Sequence, residues 1–361
     1  MLEKTTSLYL DFLRLLSALL VFAYHARAER LNGQWIGVVG NFGHDAVIVF
    51  FVLSGFVIAY TTARKPADIN SFIKSRLARL YSVAVPALIF TVLADYIGQY
   101  FNPSIYITPY YEDSQPLARF VYNLLFINEI WHTSWRAFSN GPFWSLSYEF
   151  FYYLIFALAF YLKGWRRLLY VALAALVAGP KILILLPTWL VGVLLFHLNK
   201  NITLRFSFSL FLMFGSIVLY SAYRLSGLPN YLYNATKELI GKEFILISLD
   251  MSRWFLNDYI VSMLVAMNIL GTASILRYIS INHRVSFFIR YFAGMTFTLY
   301  LFHYPLLQLF GSTLSNNVII VTLSLASVMI IAPVTEGSKT HWLRLFNRIH
   351  QLLRKPTYER Y

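Results

Sequence analysis

The sequence predicts an all-α integral membrane protein: a polytopic bundle of about ten transmembrane helices with both termini cytoplasmic. Three observations carry this reading. Hydrophobic residues fill 58% of the 361 positions and charged residues only 13%, against about 25% charged in a soluble domain. Apolar runs of 18 or more residues recur along the chain, divided by short charged connections, which is the pattern of bilayer-crossing helices. Lysine and arginine alternate between the connections: twenty fall in one set, nine in the other, and Arg14 lies inside a run. The richer set, which includes both termini, is expected on the cytoplasmic side.

Spans are expected at 8–26, 42–62, 77–98, 143–162, 166–180, 182–198, 206–223, 259–276, 287–311 and 317–336. Together they form one transmembrane domain over 1–361 with no fused soluble domain and no internal repeat. The fifth span is short. The first run exceeds a signal-peptide core and no small-residue cleavage pattern follows it, so it is read as a retained helix. The chain has no cysteine, which excludes a thiol nucleophile, disulfides and thiolate metal sites. Its eight histidines show no metal-ligand spacing, so no metal is expected. The net charge of +14 does not point to nucleic acid, because the cations sit between apolar runs and not on one soluble face. Two long outer loops, 99–142 and 224–258, collect most remaining acids, including Glu112, Asp113, Glu129, Glu238, Glu243 and Asp250. The basic tail from Lys339 to Arg360 carries Trp342, Leu345, Phe346 and Ile349. It suits either a helix lying on the anionic inner leaflet or a solvated one.

Ionisable residues inside the apolar runs supply the candidate site, since such groups face protein or a water-filled cavity. In the first span, LDFLRLLSALLVFAYHA, Arg14 and His25 are eleven residues apart. Eleven steps of about 100° leave roughly 20° from whole turns, so both lie on one face, about 16 Å apart along the axis. Arg14 falls in the inner half and His25 near the outer end. The plainer readings are an Arg14 that snorkels and pairs with Asp11, and an interfacial His25. The second span, GHDAVIVFFVLSGFVIAY, sets His44 and Asp45 level with His25, and Ser54 and Gly55 deeper. A carboxylate beside an imidazole fixes its tautomer and raises the basicity of the other nitrogen, which makes a general base; Asp45 equally suits a helix cap.

In SFIKSRLARLYSVAVPAL, Arg76 and Arg79 share a helix face at the inner surface, with Lys74 and Arg14 as potential neighbours and Arg290 as a weaker addition. Such a cluster suits phosphate groups, although topology alone also places cations there. The fourth span opens GPFWSLSYEFFYYLIF and carries Glu149 about 10 Å along a helix entered from outside, in the outer half. Trp144, Tyr148, Tyr152 and Tyr153 are read mainly as an interfacial aromatic belt, with stacking on sugar rings as the alternative. The ninth span, with TLYLFHYPLL, places His303 in the outer half, and Pro305 is expected to kink the helix and free a carbonyl. His25, Asp45, Glu149 and His303 thus form an outer layer, and Arg14, Arg76 and Arg79 an inner one.

At these residues the sequence resembles the acyltransferase 3 family of polytopic membrane acyltransferases. The resemblance rests on Arg14 with His25, Asp45 ahead of FFVLSGF, the Arg76–Arg79 pair, Glu149 in FWSLSYEFFYY and His303 in LYLFHYPL, and covers nearly the whole chain. It implies transfer of an acyl group, usually acetyl, from cytoplasmic acyl-coenzyme A to a hydroxyl of a carbohydrate acceptor at the bacterial inner membrane. On that reading Arg14, Arg76 and Arg79 hold the coenzyme phosphates. His25, oriented by Asp45, deprotonates the acceptor, while Glu149 and His303 position it or relay protons. Direct transfer and an acyl-histidine intermediate both stay open. A transporter or flippase, whose pathways also carry intramembrane charges, is the rival reading, and a non-catalytic membrane subunit a third.

Overall fold

The computed structural model describes residues 3–29, 42–64, 68–106, 111–202 and 204–354, and its regular elements are helices. Among the described residues fourteen α-helices follow one another: α1 Lys4–Glu29, α2 Gly43–Arg64, α3 Ile69–Phe101, α4 Pro116–Leu124, α5 Trp144–Tyr161, α6 Gly164–Ala178, α7 Pro180–Asn201, α8 Phe206–Leu225, α9 Leu228–Ile240, α10 Phe255–Leu276, α11 His283–Ala293, α12 Thr296–Thr313, α13 Asn317–Gly337 and α14 Lys339–Arg354. The face carrying the start of α1 is called the near face below, and the opposite one the far face. Thr5 Oγ1 donates to Leu276 O at 2.9 Å, tying the start of α1 to the end of α10 on the near face.

Every expected span has a helix, but not every helix has the length a span needs. Among the described residues eight helical segments are long and apolar enough to cross a bilayer, and the α11–α12 pair, bent by 51°, makes up to nine. The shortfall from ten is α6, whose 15 residues rise about 22 Å, less than a hydrocarbon core of about 30 Å. The ninth span, expected as one rod over 287–311, breaks between α11 and α12. The 99–142 and 224–258 connections are also more structured than loops: α4 lies in the first, and α9 with a π-helical stretch at Phe244–Leu249 in the second.

Local chemistry sets several boundaries. Asp68 caps α3 by accepting from Ser71 N at 2.9 Å, so that helix begins eight residues before the expected 77 and takes Arg76 and Arg79 into its first turns. Asn316 caps α13 through Val318 N and Ile319 N. Internal prolines release carbonyls four residues back, and side chains of other segments take up two of them, as apolar surroundings favour. Ser338 Oγ donates to Ser82 O, freed by Pro86, at 3.3 Å, and Asn140 Nδ2 donates to Leu301 O, freed by Pro305, at 2.8 Å. The expected freed carbonyl in the ninth span is therefore present and occupied.

The basic tail forms α14, which packs on α3. Trp342 stacks on Tyr81 with centroids 5.5 Å apart, and Lys74 Nζ donates to Asn347 Oδ1 at 2.7 Å. Lys355 and Arg360 of that tail lie outside the described residues. The aromatic belt expected on the fourth span is overturned: Trp144, Tyr148, Tyr152 and Tyr153 are all buried. The three tyrosines face the bundle because their hydroxyls find protein partners there: Tyr148 with Ser252, Tyr152 with Ile182 O, and Tyr153 with Glu149.

Helices α2 and α7 touch backbone to backbone. A Cβ on Gly55 would sit 2.0 Å from Trp189 O, and one on Gly192 would sit 1.9 Å from Val52 O. This closeness lets Trp189 Nε1 donate to Ser54 Oγ at 3.1 Å. Gly55→Ala should therefore push the helices apart and destabilise by about 1–3 kcal/mol through overpacking. The check is a lower melting temperature of the detergent-solubilised variant.

On the far face, Lys181 is fully buried. Its Nζ donates to Glu129 Oε2 at 2.7 Å, to Ser134 Oγ at 2.7 Å, and to Thr133 O. Ser134 Oγ bridges on to Asp250 Oδ2 at 2.8 Å, and Ser252 Oγ donates to Lys181 O at 2.7 Å. One cation thus clips the 126–140 segment and the 250–254 turn to the start of α7. Burial raises the Glu129 carboxyl to about 7, with Lys181 opposing and Asp250 adding to the rise. A carboxyl that keeps its proton to higher pH in the folded state loses its stabilising contribution as pH rises from about 4.5 to about 7. Removing the opposing charge by Lys181→Met should extend that window to higher pH, and above it the unpaired buried carboxylate costs roughly 3–5 kcal/mol. Melting temperatures of both proteins between pH 5 and 8 provide the test.

Candidate active site

Two cavities lie one above the other in the bundle and share Val47 and Tyr300 in their walls. The lower is lined by Arg14, Arg76, Arg79, Ser54, Glu149 and Tyr153, and the upper opens around His25 and His44. Sequence reasoning brought the three arginines together, and the structure does the same. Arg14 Nη1 contacts Asp11 Oδ1 at 3.2 Å, and Arg79 Nη1 lies 3.8 Å from Glu336 Oε2. Arg76 is different. Its guanidinium lies 5.6 Å over the Phe72 ring, Nη2 donates to Ser75 Oγ at 3.4 Å, and its buried Nε has no hydrogen-bond partner. A buried orphan donor is rare and calls for a partner. Lys74 is committed to Asn347, and neither it nor the exposed Arg290 lines the cleft.

Glu149 departs from its expected level. It lines the lower cleft with the arginines, not the upper cavity, and accepts from Ser54 Oγ at 3.1 Å and from Tyr153 OH. The expected depth counted from an entry at the outer surface. Here α5 starts inside the bundle, because buried Asn140 reaches Leu301 O in mid-α12 and Thr91 Oγ1 on α3. Counted from Trp144, Glu149 is a further 7.5 Å or so inward. Asn140→Ala would orphan a buried carbonyl at a cost of roughly 1–3 kcal/mol, and a fall in melting temperature would register it.

The pairing of Asp45 with His25 does not occur. Asp45 Oδ2 accepts from Tyr220 OH at 2.5 Å and pairs with Arg224 Nη1 at 3.4 Å, both on α8. Its neighbour His44, about 100° further around α2, contacts Asp258 Oδ1 of α10 through Nε2 at 2.9 Å. His25 Nδ1 meets His303 Nε2 instead, at 2.9 Å, with ring centroids 5.1 Å apart. His303 is fully buried, and its Nδ1 lies 2.9 Å from Leu299 O. That carbonyl only accepts, so Nδ1 of His303 carries the proton and its Nε2 accepts in the neutral ring. His25 Nδ1 therefore donates, and Nε2 of His25 is left as a lone-pair acceptor in the upper cavity. Leu299 O, His303 and His25 form a relay that fixes one imidazole tautomer without a carboxylate.

Other residues around the cavities escaped sequence reasoning. Glu336 faces Arg79 while accepting from Thr298 N at 3.2 Å; its signal was a lone acid at the end of the last apolar run. Asp258 announced itself only as an acid at the edge of the eighth span. Tyr300, one turn before His303, bonds Pro142 O at 3.1 Å and forms the wall between the cavities.

Fold and geometry together define a polytopic membrane protein with ionisable side chains laid out through the bundle, three arginines around the lower cavity and a histidine pair beside the upper one. The chain belongs to the acyltransferase 3 family, whose acyltransferase domain matches residues 7–336. It is similar to the O-acetyl transferase of Shigella phage Sf6, 30% identical over 161 residues, and to the acyltransferase MdmB of Streptomyces mycarofaciens, 32% identical over 167 residues. Those stretches are 41% and 43% of this chain, and they cover 44% and 38% of the two relatives' own lengths. No solved structure matches.

Proposed function

We propose that the protein transfers an acyl group, acetyl in the first instance, from acyl-coenzyme A to a hydroxyl of a carbohydrate acceptor in a cell-surface polysaccharide or its lipid-linked precursor. On this reading the near face is the cytoplasmic side of a bacterial inner membrane. The chain crosses ten times, with α6 as a short pass and α11–α12 as a bent one, and both termini are cytoplasmic. The observation that carries the reading is the Leu299–His303–His25 relay, which leaves a neutral imidazole nitrogen free to accept a proton beside the upper cavity. Arg14, on the same helix face as His25 and about 16 Å away along the axis, lines the cleft that also holds Arg76 and Arg79. Three guanidiniums suit the donor's phosphates, and the pantetheine arm reaches from there toward the wall at Val47 and Tyr300.

In the reaction, Nε2 of His25 takes the proton from the acceptor hydroxyl as its oxygen attacks the thioester carbonyl. The tetrahedral oxyanion collapses with cleavage of the carbon–sulfur bond, and the departing thiolate recovers the proton from the imidazolium. His303 holds His25 in the required tautomer. Glu149, knotted to Ser54 and Tyr153, supplies countercharge to Arg76. His44 with Asp258, and Asp45 with Arg224, brace the upper cavity. The test is mass analysis of surface glycans from cells with and without the gene. Loss of one acetyl mass per repeat unit is expected, and unchanged glycans together with no transfer from labelled acetyl-coenzyme A would overturn the proposal.

A further inference from the structure

In the upper cavity the imidazole of His44 stands on a buried carboxylate. Its Nε2 contacts Asp258 Oδ1 at 2.9 Å, while the other oxygen, Oδ2, is buried with no hydrogen-bond partner among the described residues. The Asp258 side chain is 1% exposed and that of His44 31%, so the carboxylate lies inside the bundle while the ring reaches the cavity it lines. A neutral polar pair would brace two helices at lower cost than a buried carboxylate left one bond short. The arrangement supplies charge to the imidazole.

The place of His44 on α2 gives that charge a target. Val47, in the wall that the two cavities share, follows His44 by three residues. Both therefore lie on one face of α2, with His44 about 4.5 Å further toward the far face. Helices α1 and α2 touch at this level, since a Cβ on Gly43 would lie 2.4 Å from Tyr24 Cγ. The residues that follow these two, His44 and His25, both line the upper cavity. Arg253 lines it too, but from the 250–254 turn and not from the face that Val47 marks. Paired ionisable groups whose surroundings favour opposite protonation states divide acid and base roles between them. His25 rests on His303 and the Leu299 carbonyl, whereas His44 rests on a carboxylate.

We infer that His44 is the oxyanion donor of the acyl-transfer step: as an imidazolium paired with Asp258 through Nε2–H, it donates Nδ1–H to the thioester carbonyl oxygen. This deepens the acyl-transfer reading and rests on it. No proton changes hands at His44. Its bond strengthens as attack turns the carbonyl oxygen into an oxyanion, and weakens again when the carbon–sulfur bond breaks and the carbonyl re-forms. His25 alone takes the proton and returns it. Asp258 is a positioning residue, because it acts through His44.

The test uses purified full-length protein, labelled acetyl-coenzyme A and, as acceptor, surface glycan from cells without the gene. Asparagine places its amide nitrogen near the position of imidazole Nδ1, and glutamine near that of Nε2. His44→Gln thus keeps a bond to Asp258 and loses the donor at the cavity, while His44→Asn does the reverse. His44→Ala and His44→Gln should each lower kcat by about 10²–10³-fold, the effect of removing one oxyanion donor, with KM for acetyl-coenzyme A unmoved. His44→Asn should stay roughly tenfold or more above His44→Gln. A bracing role alone predicts the opposite order, because only glutamine keeps the bond to Asp258. Should His44→Ala fail to fold, the order of the other two carries the test. A His44→Gln variant as active as His44→Asn, or more so, would overturn the inference and leave acyl transfer standing. No transfer by the unmodified protein would overturn both.

Discussion

His25→Ala should lower the turnover of acyl transfer by about 10²–10⁴-fold, the range a positioned general base contributes, while the protein stays folded in the membrane. The expected loss is in kcat, since in the proposed reaction His25 acts on the proton that moves in the transition state and lies outside the arginine-lined lower cavity. His25 is only partly buried and gives up the contact with His303 and a bond to the Val21 backbone, so the structural cost of its removal is small beside the catalytic one. His303→Gln is the informative companion. A glutamine amide still offers His25 an acceptor oxygen, but it lacks the Nδ1–H···O=C anchor to Leu299. It should retain more activity than His303→Ala. Assays with labelled acetyl-coenzyme A on purified protein give both values, and full transfer by His25→Ala would remove the imidazole from the mechanism.

The second large effect is expected at Arg76. Arg76→Met keeps an apolar stem over Phe72 and removes the charge whose Nε is buried without a partner. If a phosphate completes that bonding, the loss is one or two charge-assisted hydrogen bonds of roughly 1.5–3 kcal/mol each. That is a rise of about tenfold to more than a hundredfold in KM for the acyl donor, with kcat changed far less. Arg79→Met should cost less, because Arg79 already faces Glu336. A KM unmoved by Arg76→Met would detach the lower cleft from the donor. The split between a kcat effect at His25 and a KM effect at Arg76 is the signature of a site divided between two cavities.

The layering of the site was legible because helical geometry is periodic. Arg14 and His25 stand in one apolar run, and their spacing alone puts them on one face with a fixed rise. Arg76 and Arg79 follow by the same rule. Partners across helices were not legible, since the choice among several depends on how the helices rotate against each other. Thus Asp45 and His44, adjacent in sequence, turn to α8 and α10, and His303, from the far end of the chain, takes the place beside His25 that Asp45 was expected to fill. The level of Glu149 was misjudged for a related reason: composition marks where an apolar run begins, not whether a polar segment before it has folded into the bundle. The tyrosines of α5 follow the same logic, because an aromatic belt and an aromatic core are written with the same letters.

The hydrogen bond from Asn140 to the carbonyl that Pro305 sets loose joins the far-side segment to the helix carrying His303. Arg136 and Asn140 belong to that one segment, so a wall of the upper cavity is tied by this bond to the helix that carries His303. For the proposed acceptor the consequence is reciprocity: whatever free energy its arrival spends on ordering the segment also aligns the histidines, and a well-aligned pair strengthens the grip on it by the same factor.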